Sequence, residues 1–93
     1  MERISVEPVG DHEYLVRLTA GGRDAASWFR ADPAVLDELG IGADKERRAV
    51  EQTAGFLVDR QDAQDLPKWV DLDDVVASYQ DFPDELRRRL GTG

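Results

Sequence analysis

Apolar and polar residues alternate along the first third of the chain. Ile4, Val6 and Pro8 stand two apart, and between Glu13 and Ala20 the residues Tyr14, Val16, Leu18 and Ala20 do the same. A period of two sends successive side chains to opposite faces of a strand, so two strands are predicted here. Pro8 cannot donate to a ladder, which suits an edge position or a strand end. Gly10 and Asp11 supply the turn between the two strands. Gly21-Gly22 then offers two residues at ease with the positive φ angles of a tight hairpin, and a return strand is predicted from Arg23 to about Ala31.

That loop dictates a register. Ala20 faces Arg23, Leu18 faces Ala25, Val16 faces Ser27 and Tyr14 faces Phe29, while on the other face Leu15 meets Trp28, Arg17 meets Ala26 and Glu13 meets Arg30. A slip of one residue would exchange the faces. The Tyr14/Val16/Leu18/Phe29 face is the better candidate core. The other mixes charges with one large apolar pair, Leu15 and Trp28.

Beyond Ala31 the period lengthens to that of helices. Asp32 stands at an N-cap, Pro33 at the first helical position, Val35, Leu36 and Leu39 inside, and Gly40 just past the end, with Ile41 closing the C-terminal motif. A longer amphipathic helix is predicted over 44–60, capped by Asp44. Its Ala49, Val50, Thr53, Ala54, Phe56 and Leu57 form the stripe expected at the centre of the core. Gln61 to Asp65 reads as a polar loop and Leu66-Pro67 as a break. Asp71 caps a helix carrying Leu72, Val75, Val76 and Tyr79. Phe82-Pro83 opens a final helix with Leu86 and Leu90, closed by Gly91. Strands grouped ahead of helices indicate an α+β fold: one domain over 1–93, with an antiparallel sheet of about three strands in 1–31, about four helices in 32–90, and a tail at 91–93.

Composition narrows the chemistry. Ninety-three residues, 41% of them apolar, can close a core without staples, and the absence of cysteine excludes disulfides, thiolate metal sites and cysteine nucleophiles. The net charge is −8 and is shared evenly between the halves, so no basic stripe is segregated to meet a phosphate backbone. No apolar run reaches the ~18 residues a membrane span needs, and Met1-Glu2-Arg3 does not begin a signal peptide. The expectation is a cytoplasmic protein that uses no nucleic acid, membrane or cofactor.

Each candidate site competes with a plainer role. Asp71, Asp73 and Asp74 lack the glycine and terminal glutamate of a calcium loop and read as helix-start acids. Asp59, Asp62 and Asp65 sit where a helix ends. His12, the single histidine, lies in a predicted turn and reads as a surface residue. Ser5, Ser27 and Ser78 have no neighbouring base to take a proton. Gly40 to Asp44 lacks the Gly-Lys-Ser/Thr of a phosphate loop. Arg87-Arg88-Arg89 suits the negative end of a helix. Trp28 with Leu15, and Trp69 beyond Pro67, offer the one interaction signal, because tryptophan is enriched among binding hot spots. Against that stands the commoner reading that one or both indoles fill core gaps under a helix.

One resemblance spans most of the chain. Glu13, Tyr14, Val16, Gly21 and Gly22, followed by Asp71, Leu72, Val76, Tyr79, Phe82, Pro83, Glu85 and Leu86, resemble an uncharacterised family of small bacterial, mainly actinobacterial, proteins. Asp32, Leu36, Leu39, Gly40, Phe56, Leu57, Asp59 and Arg60 fit between them, and the match departs around Gln64 to Trp69 and at Ser78-Tyr79-Gln80. These are turn, cap and core residues, so the resemblance implies a bacterial cytosolic protein and carries no catalytic residue, cofactor or metal. The sequence therefore points to a non-catalytic interaction module that binds another protein, or itself, through Leu15, Trp28 and Trp69. The alternative is a small enzyme or ligand-binding domain using carboxylates in a pocket between sheet and helices.

Overall fold

The structure, a computed structural model, describes residues 3–20, 22–62 and 65–91; Gly21 of the expected hairpin loop, residues 63–64 of the polar loop and the expected tail at 92–93 lie outside the described residues. Strands β1 (Arg3–Gly10), β2 (Glu13–Ala20) and β3 (Arg23–Arg30) are followed by α1 (Pro33–Glu38) and α2 (Glu46–Val58). Then come β4 (Trp69–Asp71), α3 (Leu72–Ser78) and α4 (Phe82–Leu90).

The β2–β3 register is the one the glycine pair dictates, with Tyr14 opposite Phe29, Leu15 opposite Trp28 and Leu18 opposite Ala25. Gly22 carries the positive φ, +78°, that such a turn requires. β1 pairs Ile4 with Leu18 and Val6 with Val16, then shifts register between Pro8 and Gly10, with the proline on an edge strand where its missing donor is tolerated.

The sheet itself corrects the expectation of about three antiparallel strands. It is four-stranded and mixed, in the order β1-β2-β3-β4, with β4 parallel to β3. Three residues are too few for alternation to mark a strand, and the partner of β4 lies some forty positions back. A parallel neighbour also needs a long crossover, which α1 and α2 supply. The approach is stitched at its start: the Trp28 amide donates to the Lys68 carbonyl at 2.7 Å, and the buried Ser27 hydroxyl donates to the Pro67 carbonyl.

The inward face of the sheet contributes Val6, Val16, Leu18, Phe29 and Val70 to the core. Against it lies α2, which packs on β1, β2 and α4 and buries Ala49, Val50, Thr53, Ala54, Phe56 and Leu57. Phe56 meets Phe82 at 5.1 Å between ring centroids and Tyr79 edge-on at 5.4 Å, joining α2 to the last two helices. Arg47 of α2 donates to the Val6 carbonyl at 2.9 Å and ties the helix to the edge strand β1.

Caps follow the sequence at α1, where the Asp32 carboxylate accepts the Ala34 amide and Gly40 has φ +73°, and at α3, where Asp71 accepts the Asp73 amide. Asp44 does not cap α2. Residues 43–45 form a turn of 3-10 helix, closed by the Lys45 amide on the Gly42 carbonyl at 3.0 Å, so Asp44 sits inside the first turn and not ahead of it. Its charge still lies at the positive end of the helix. No helix among the described residues is long and apolar enough to cross a membrane.

Candidate functional site

Period two decides what faces away from the helices. Phe29 is fully buried, so its neighbour Trp28 must project from the other side, and the expectation of a core-filling indole is overturned: Trp28 is 42% exposed. Trp69, the neighbour of buried Val70, is 48% exposed for the same reason.

The registers then set these residues side by side. Glu7 stands opposite Leu15, Leu15 opposite Trp28 and Trp28 opposite Trp69. Leu15, Trp28 and Trp69 thus form one row across three adjacent strands, on a face whose Ser5, Glu7, Arg17, Ala26 and Arg30 are exposed. On one side of the row lie Ser5, Arg17 and Ala26. On the other lie Glu13, Arg30 and Asp71. Arg17 approaches Glu7 at 3.8 Å, an exposed pair that contributes little to stability. The outward positions of the sheet hold three arginines (Arg3, Arg17, Arg30) against four acids (Glu7, Glu13, Asp24, Asp71), close to balance in a chain of net charge −8. Trp69 also walls a groove of about 280 Å³ between the end of α2 and α3, lined with Leu57, Gln61, Pro67, Val75 and Tyr79.

A second constellation was not legible in the sequence. His12 occupies the β1–β2 turn with φ +59°, and its Nδ1 lies 2.9 and 3.0 Å from the two carboxylate oxygens of Glu46. A carboxylate only accepts, so Nδ1 carries the proton and Nε2 is the nitrogen left for solvent or a ligand. The Tyr14 hydroxyl donates to the same carboxylate at 3.0 Å. Burial, reinforced by the hydrogen bond and the charge of Glu46, pushes the Tyr14 hydroxyl up to about 12. Glu46 is buried at 7% exposure, so the lone surface histidine of the sequence reading is in fact anchored to a buried acid. Tyr14 points inward by alternation, but its partner lies 32 positions away and only the fold joins them. A cleft of about 200 Å³ opens beside this cluster, lined by His12, Pro33, Leu36, Asp37, Ile41 and Glu46.

The arginines of α4 and Asp71 have partners within the fold. Arg87 pairs with Asp84 and donates to the Leu39 carbonyl, Arg88 pairs with Glu85, and Arg89 bridges Glu85 and Asp59. The carboxylate of Asp71 is engaged in its cap. Among the described residues no group of three or more His, Cys, Asp or Glu side chains could hold a metal ion. No protein-family model matches the chain, and neither a curated protein nor a solved structure matches it.

Proposed function

We propose that the chain is a non-catalytic interaction module whose contact surface is the outward face of the sheet and whose partner is a protein, not a nucleic acid or a membrane. The observation that carries this reading is the Leu15–Trp28–Trp69 row. Two large indoles held on rigid strands, with exposed apolar area and little conformational freedom to lose, are the kind of group that anchors a protein contact. Near-balanced charge around the row limits the repulsion a partner meets on approach.

The test is capture by the tagged chain from its native lysate, supplemented with an untagged copy of the same chain, beside a Trp28→Ala control. A stoichiometric protein, native or the added copy, that disappears with the control supports the reading. Capture of nothing, or of a protein the control retains, overturns it.

A second reading, a ligand site using carboxylates, is favoured by the anchored His12 beside its cleft. A carboxylate–imidazole pair with Nε2 open is a usable acid–base group. Small-molecule binding that shifts the His12 ring resonances and is lost in Glu46→Gln would establish it; ring resonances unmoved across a ligand screen would end it.

A further inference from the structure

We infer that the partner seated on the outward sheet face is a second copy of this chain, related by a two-fold axis lying along the Leu15–Trp28–Trp69 row. The inference rests on the reading of that face as a contact surface and adds the identity of the occupant.

Charge complementarity carries it. Along β2 the outward residues run Glu13, Leu15, Arg17 and Thr19, and the first three set an acid and a base on either side of an apolar centre at equal spacing. A half-turn about an axis running across the strands through Leu15 leaves the row in place and exchanges its two flanks. Arg17 of one copy then lies over Glu13 of the other, and the reverse pair forms by symmetry. An isologous interface must satisfy itself in this manner, residue i meeting j and j meeting i. On β3 the same operation sets Arg30 over Ala26, where a small exposed side chain leaves room for the guanidinium. The apolar part of the row meets its own image at the centre, while Glu7, which closes the row on β1, meets its own image at the rim, where Arg17 at 3.8 Å offsets part of the repulsion. Two twisted sheets stack face to face at about 10 Å and within about 30° of alignment, which keeps these pairs in register near the axis.

The overall charge makes a near-balanced face better suited to self-pairing than a strongly acidic one. Two copies at −8 each repel, and the near-balanced outward sheet residues let them approach at less electrostatic cost than the net charge implies. Other contacts between strands are less open to a second copy: β1 carries Pro8 and is tied to Arg47, and β4 offers only three residues.

The experiment is sedimentation equilibrium from micromolar to millimolar protein, on the full chain, for wild type, Glu13→Arg, Arg17→Glu and the double exchange, each checked for native circular dichroism. The wild type is expected to dimerise. Each single exchange sets like charges across the axis and weakens the dimer at least about tenfold, and the double exchange restores it to within about threefold of wild type. A wild type monomeric at millimolar concentration overturns the inference. So does a dimer indifferent to the single exchanges, or a double exchange as weak as either single. A monomeric wild type that still captures a Trp28-dependent protein from the lysate removes the second copy and leaves the interaction reading standing. A monomer that captures nothing removes both.

Discussion

The hydroxyl of Tyr14 and the carboxylate of Glu46 lie 3.0 Å apart and join the second strand to the first turn of the central helix. Because Glu46 is buried and accepts from His12 as well, its loss strands two donors at once. Glu46→Ala is expected to cost about 1–3 kcal/mol, and Tyr14→Phe about 1.5–3 kcal/mol, measured by urea unfolding. The two effects share one carboxylate, so the double variant should fall short of their sum.

The same contact gives stability an alkaline limit. The folded Tyr14 hydroxyl ionises near pH 12 against about 10 in an unfolded chain, so folding favours the protonated form. Its contribution is complete below pH 10 and is lost as pH rises through 10 to 12. Urea midpoints of the wild type should drop through that window more steeply than those of Tyr14→Phe. Parallel curves for the two proteins would contradict the assignment.

His12 holds a left-handed backbone at φ +59°, a conformation costly for any residue with a Cβ. His12→Ala keeps that cost and loses the Glu46 contact, whereas His12→Gly loses only the contact. The glycine variant should therefore be the more stable of the two by about 1 kcal/mol in urea unfolding.

Adjacent residues on β3 should respond oppositely to truncation. Phe29 is fully buried, and Phe29→Ala should cost about 3–5 kcal/mol and threaten folding. Trp28, one position earlier and 42% exposed, should lose no more than about 1 kcal/mol on going to alanine, with native circular dichroism retained. Any defect of Trp28→Ala in association is then a defect of the surface, not of the fold.

The elements legible in the sequence were those defined by neighbours in the chain. The glycine pair set a hairpin register that propagated to every cross-strand partner of β2 and β3, and Asp32-Pro33 with Gly40 bounded α1 because cap chemistry is local. Trp69–Asp71 carries no strand signal of its own, since its ladder partner belongs to a distant segment and Asp71 reads only as the cap of the next helix. Asp44 was misplaced because the chain enters α2 through a 3-10 turn, which sequence periodicity does not distinguish from the helix. At the candidate site, Leu15 and Trp28 were already paired in the sequence by the hairpin, but Trp69 joined them only through β4. The His12–Glu46 contact spans 34 positions between a turn and a helix, and no local signal marks either residue as the other's partner.

The parallel docking of β4 also makes the chain its own reporter of topology. Trp28 and Trp69 come from segments 41 positions apart and are ladder neighbours in the folded chain, with strands about 4.8 Å apart. Contacts so remote in sequence form late, after the local hairpins. Coupling between the two indole transitions should therefore appear in the circular dichroism of refolding protein after strand signal has developed, marking the moment at which the crossover closes.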